Sequence, residues 1–232
     1  MKAIAITAIL GLGLALSARG ANAAFLNTSG TWTNTQPVGS INGENTNTIS
    51  WGTGGTSSYV FDGVSETVDI NDLINAPFLL GQFTHNNFPI FDPVLQSATL
   101  NVDLSLDSFS QTFLFDFTHL ETPNNASPCE AGGVQPCPDL VSFPNEDSSQ
   151  FITLDGVDYK LTLIGFSQNG LGNAVDEFLT IENQSNTANL FAQLTEVETE
   201  NVPEPLTILG SATALGIGAL LKRESSKKQK KS

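Results

Sequence analysis

Positive charge is what this chain most lacks. Of nine Lys and Arg in 232 residues, two lie in residues 1–23, six lie beyond residue 201, and Lys160 alone stands between them. Residues 24–201 hold twenty-two Asp and Glu, so that segment has a formal charge of −21 against −15 for the whole chain. A surface of that sign repels phosphate backbones, whose binding needs Lys and Arg, and this excludes nucleic acid as a partner. Basic surfaces and divalent cations are what it attracts.

Catalytic signatures are missing as well. Neither an HExxH helix nor a GxSxG elbow occurs, which removes the common zinc-protease and serine-hydrolase arrangements. A secreted hydrolase of glycosides would need a carboxylate pair placed across a cleft. The two histidines, His85 and His119, are too few for zinc without a third protein ligand, which no spacing supplies. Asp69-Ile70-Asn71-Asp72 opens like an EF-hand loop but lacks Gly at the sixth position and Glu at the twelfth. The reading is of a non-enzyme with no cofactor and no specified metal site. Calcium held by loop carboxylates and amides is the cation that the composition allows.

Sustained 3.6-residue periodicity is absent from the central segment, apart from a turn or two of helix expected within Val68 to Asn75. Period-two alternation is present instead. Leu100, Val102, Leu104 and Leu106 alternate with polar residues, and Phe113, Phe115 and Phe117 repeat the spacing of two. Val157, Tyr159, Leu161 and Leu163 repeat the pattern after Asp155-Gly156, a two-residue turn signal that predicts a hairpin over residues 150–166. Further strands are expected at Thr48 to Trp51, Ser58 to Phe61, Phe78 to Thr84, Glu177 to Ile181 and Asn189 to Val197. Many short strands with turn signals between them predict an all-β fold, an antiparallel, jelly-roll-like β-sandwich over residues 48–198. Charges on the alternating faces argue against an outer-membrane barrel. Fifteen Phe supply core volume. The polar stretch 24–47 reads as a flexible lead-in, with Trp32 as the best candidate for an exposed, sugar-stacking aromatic beside Trp51, Tyr59 and Tyr159.

Both ends carry addresses. Met1-Lys2, the apolar run Ala3 to Leu16 and Ala21-Asn22-Ala23 form a signal peptide, residues 1–23, with cleavage before Ala24. In the compartment beyond, Cys129 and Cys137 are most simply a disulfide closing a Gly- and Pro-rich loop. At the other end, residues 199–232, Val202-Pro203-Glu204-Pro205 precedes an uncharged run from Leu206 to Leu221, then Lys222-Arg223 and a lysine-rich tail. Sixteen uncharged residues make a short, marginal transmembrane helix of about 24 Å, and the basic cluster holds its end on the cytoplasmic side.

Pro203-Glu204-Pro205, the Gly- and Ala-rich span and the basic pair resemble a PEP-CTERM sorting signal, found on exported proteins of Gram-negative bacteria. The resemblance implies recognition by an exosortase, a membrane-embedded thiol transpeptidase, with processing near the Pro-Glu-Pro motif. This chain departs from the pattern by continuing nine residues past Arg223. A second resemblance covers roughly residues 48–198. Trp51-Gly52, the stretch from Gly81 to Ile90 containing Phe83-Thr84-His85, Glu121-Thr122-Pro123-Asn124, Cys137-Pro138-Asp139 and Gly165-Phe166 look like the choice-of-anchor K domain. That resemblance implies an extracellular β-domain and brings no activity with it.

His85 and His119 sit in similar words, Phe-Thr-His with a proline four residues on, each after strand-like sequence and before a loop. They are candidates to meet at one end of the sandwich, where His85, His119, Glu121 and Asn124 form a ligand site; loop-fixing hydrogen bonds from imidazole to backbone are the plainer alternative. The sequence thus describes an exported protein of the cell surface or extracellular matrix, transiently in the inner membrane, with a structural or adhesive role. Exopolysaccharide is its expected neighbour. A carbohydrate- or calcium-binding module is the competing description.

Overall fold

The computed structural model describes residues 23–74, 76–143, 149–154, 156–168 and 174–197. Twelve strands and one helical turn follow in the order β1 (Ala23–Gln36), β2 (Thr48–Trp51), β3 (Ser57–Gly63), β4 (Ser65–Asp69), α1 (Ile70–Leu73), β5 (Pro77–Asn87), β6 (Ser97–Leu106), β7 (Phe109–Leu120), β8 (Asp139–Ser142), β9 (Ser149–Leu154), β10 (Val157–Ser167), β11 (Glu177–Thr180) and β12 (Gln184–Glu196). They form two antiparallel six-stranded sheets, ordered β11-β8-β7-β6-β1-β4 and β2-β3-β5-β12-β10-β9. The fold is all-β, a sandwich of two sheets with the core between them. The hairpin over 150–166 is β9 and β10, paired from Val157 opposite Leu154. The turn within Val68 to Asn75 is α1, where the Asp69 carboxylate caps the Asn71 N–H at 2.9 Å. The EF-hand-like start thus serves as a helix cap.

Alternate side chains on each strand point inward, as the period of two requires. On β7 these are Phe113, Phe115 and Phe117; Phe83 on β5 stacks on Phe117 with centroids 6.0 Å apart and meets Phe166 on β10 at 5.4 Å. Each fully buried aromatic of this kind contributes about 1.5–3 kcal/mol of transfer free energy. Where Phe61 of β3 crosses the interior, the opposing positions are glycines. A Cβ at Gly30 would lie 2.4 Å from the Phe61 ring, and one at Gly81 would lie 2.3 Å from it.

The structure corrects the reading of residues 24–47 as flexible. β1 is an interior strand of its sheet, paired with β6 on one side and β4 on the other, and Trp32 is fully buried at 0% exposure. Among the described residues the sandwich therefore includes β1, well ahead of residue 48. Trp51, Tyr59 and Tyr159 are buried too, so none of the four aromatics offers an exposed face for a sugar.

The edge of β7 beyond its short pairing with β8 is closed by side chains. The Gln150 carboxamide accepts from Leu114 N at 3.2 Å and donates to Leu114 O at 2.8 Å, imitating a ladder pair, while Gln111 Nε2 donates to Phe151 O at 3.1 Å. Satisfying an open edge in this way removes a template for pairing with other chains. Residues 1–22 and 198–232, with Val202, Pro203, Glu204, Pro205, Lys222 and Arg223, lie outside the described residues, as do the expected signal and transmembrane helices. Among the described residues no helix is long and apolar enough to cross a membrane.

Candidate functional site: a buried histidine and carboxylate cluster

At one end of the sandwich the inward stripes change from apolar to polar on several strands at once. On β5, Phe83 gives way to His85 and Asn87; on β7, Phe117 gives way to His119; on β8, Val141 is preceded by Asp139; and on β11, Phe178 is followed by Thr180 and, just past the strand, Glu182. Register aligns them. Tyr59 on β3 is opposite His85, His85 is opposite Asn186 on β12, and Thr180 is opposite Asp139.

His85 and His119 meet edge to face, with ring centroids 5.2 Å apart. Trp51 stacks on His85 at 5.6 Å and covers His119 at 5.4 Å, closing the cluster from the second sheet. His85 Nδ1 lies 2.8 Å from Thr180 Oγ1, and that hydroxyl lies 3.2 Å from the Asp139 carbonyl oxygen. A carbonyl only accepts, so the Thr180 proton goes to Asp139 O and the hydroxyl oxygen accepts from His85 Nδ1–H. The tautomer is thereby set: His85 Nε2 carries a lone pair, is buried and has no partner. His119 Nδ1 shares a 2.5 Å hydrogen bond with the Tyr59 hydroxyl, and its Nε2 is 3.4 Å from Glu121 Oε2.

Asp139, at 0% exposure, accepts from Thr122 N at 2.8 Å through Oδ1, and its Oδ2 is unpartnered. Glu182 Oε2 and Asn87 Oδ1 are unpartnered too. The Asn124 carboxamide, with its nitrogen turned to the only acceptors it faces, donates to Cys137 O at 3.2 Å and to Glu182 Oε1 at 3.0 Å. Cys137 is disulfide-bonded to Cys129, which ties the loop carrying Asn124 to the start of β8.

Burial governs the electrostatics. It lowers His85 well below the ordinary histidine value, with the neighbouring His119 adding to the effect, and brings His119 down to about 4 against the opposing pull of Asp139. Both rings are therefore neutral at physiological pH. Burial raises Glu121 to about 7, and together with Glu121 it raises Asp139 to about 7 although the Thr122 N–H and His119 oppose this. Glu182 is raised by burial and then by Glu121. The contact between His119 and Glu121 is consequently a hydrogen bond rather than an ion pair. Tyr59, raised well above 10 by burial and then by Asp139 and Glu121, remains a phenol.

All four residues expected at one end of the sandwich, His85, His119, Glu121 and Asn124, are brought there. The imidazoles bond to hydroxyl groups and a carboxyl rather than to backbone. The sequence reading missed Asp139, Glu182, Thr180 and Tyr59 as members. Asp139 stands in the Cys137-Pro138-Asp139 motif and was in reach; Glu182 follows an unremarkable short strand, and nothing in its neighbours marks it. Comparison with protein-family models produced no match, and neither did comparison with curated proteins.

Proposed function

We propose that this is an exported β-sandwich protein of the cell surface or extracellular matrix, delivered by a PEP-CTERM signal and structural or adhesive in role. The observation that carries the reading is the three-part carboxyl end: Val202-Pro203-Glu204-Pro205, the uncharged run to Leu221, and Lys222-Arg223. A cleaved signal helix over residues 1–23 and a transmembrane helix over 206–221 complete the route, with an exosortase-type transpeptidase and the inner membrane as transient partners. The disulfide that uses both cysteines supports an oxidising destination. Repeated passage of the chain between the two sheets supports a jelly-roll-like path, an architecture well suited to a passive surface module. The net charge of −21 over residues 24–201 favours hydrated matrix over nucleic acid. The reading is non-enzymatic, and the burial of His85, His119 and Asp139 supports it.

Mass spectrometry of the protein from surface fractions tests the route. The expected product begins at Ala24 and ends near Pro203 to Pro205, and the double change of Pro203 and Pro205 to Ala accumulates membrane-bound precursor. A surface product extending to Ser232 would replace the sorting reading with a permanent anchor.

A further inference from the structure

We infer that His85, His119 and Asp139 form a binding site for one divalent first-row transition ion, with Glu121 and Glu182 on its outer side. One ligand atom from each of the three residues, and equally from Glu121, Asp139 and Glu182, lies within 4.8 Å of the others in its group. Tetrahedral ligands at about 2.0–2.1 Å from an ion sit about 3.4 Å apart, so closing the set moves each side chain by about 1 Å or less.

The independent sign of a ligand is the one-sided hydrogen bonding. His85 Nε2, Asp139 Oδ2 and Glu182 Oε2 are buried, each is an acceptor, and none has a donor. Buried polar atoms left in this state cost free energy that an apolar core would not incur. A cation held by His85 and Asp139 satisfies the first two together. Their surroundings match what ligating side chains need. The Thr180 hydroxyl fixes the ring of His85 by accepting from Nδ1, leaving Nε2 free to coordinate, and the Thr122 N–H holds one oxygen of Asp139. Tyr59 holds the ring of His119 through a hydrogen bond at Nδ1.

Donor chemistry chooses the ion. Two neutral imidazoles and a carboxylate suit zinc, manganese, iron or cobalt, whereas calcium wants six to eight oxygens. The third ligand that the histidine spacing fails to provide comes from Asp139, on a strand of its own. His85 belongs to one sheet while His119 and Asp139 belong to the other, so the ion joins the sheets at this end.

The test uses the untagged full chain, purified in mild detergent, stripped with chelator and titrated with zinc and with calcium. One zinc per chain is expected, with a higher Tm, and calcium is expected to give neither. X-ray absorption at the zinc edge then reports the ligands without any variant. The chain has two histidines in all, so a shell containing two imidazoles identifies His85 and His119. Asp139→Asn should weaken zinc binding by on the order of 100-fold with the circular dichroism unchanged, and Thr180→Val by about 10- to 100-fold. No zinc bound to the folded wild-type chain, or an oxygen-only shell from ions on surface carboxylates, would overturn the inference. Should Asp139→Asn fail to fold, the absorption measurement on the wild-type chain still decides.

Discussion

Trp32 shows how one residue is settled by its surroundings rather than by its neighbours in sequence. Thr31, Thr33 and Asn34 around it read as solvent, yet its ring packs between Tyr59 at 5.5 Å and Phe117 at 5.5 Å, and its Nε1 donates to Asn47 O at 3.2 Å. Trp32→Ala should cost about 3–5 kcal/mol in urea unfolding, the usual range for a large aromatic removed from a core. A change within about 0.5 kcal/mol would restore the exposed reading. Glu44 offers a pH test at the surface. Thr35 donates to its Oε1 from both N, at 2.8 Å, and Oγ1, at 2.7 Å, and these bonds hold the carboxyl below its ordinary value of 4.5. A lowered carboxyl contributes stability that is present above its unfolded value and is lost as pH falls through its folded value. Glu44→Gln should lower Tm slightly at neutral pH and flatten the acid limb below pH ~5, so that variant and parent converge as the pH falls.

Among the elements, those with a clean period of two were legible. β6 and β7 carry apolar residues at a spacing of two over residues 100–106 and 113–117, and β9 with β10 adds a turn signal between matched strands. β1 was not legible, for a physical reason. Its inward positions include Thr28 and Gly30, where the fold needs smallness and hydrogen bonding more than hydrophobicity. Thr28 Oγ1 donates to Leu80 O at 2.6 Å and accepts from Val64 N at 2.8 Å, while Gly30 leaves room for Phe61. Gly30→Ala should therefore destabilise by about 1–3 kcal/mol through overpacking, measured by thermal or urea unfolding. The site was half legible on the same grounds. Its histidines share a local motif, but Asp139 and Glu182 join through pairing of β8 and β11, strands four residues long with little pattern to read. The loop after β7 gives another prediction. Reducing the bond between Cys129 and Cys137 should lower stability by about 2–3 kcal/mol, with far-ultraviolet circular dichroism retained because the crosslinked loop lies outside the strands.

Across the whole molecule, charge is the dominant design variable. With Lys160 as the lone basic residue among 24–201, the folded domain repels itself, and compactness is maintained by the aromatic interior. Raising ionic strength from about 10 mM to about 150 mM should therefore raise Tm, since surface repulsion is screened over roughly 8–10 Å. An unchanged or lower Tm would show that the acids are already compensated.

The position of β12 has a consequence for the order of assembly. It is the last strand among the described residues, yet it is the shared neighbour of β5 and β10 in the middle of its sheet. On the proposed export route, a polypeptide threaded outward from its amino end must keep those two strands waiting, their edges open, until residue 196 has cleared the translocation pore. Completion of the domain thus coincides with arrival of the final linker, and any helper that shields nascent edges has its task set by that interval.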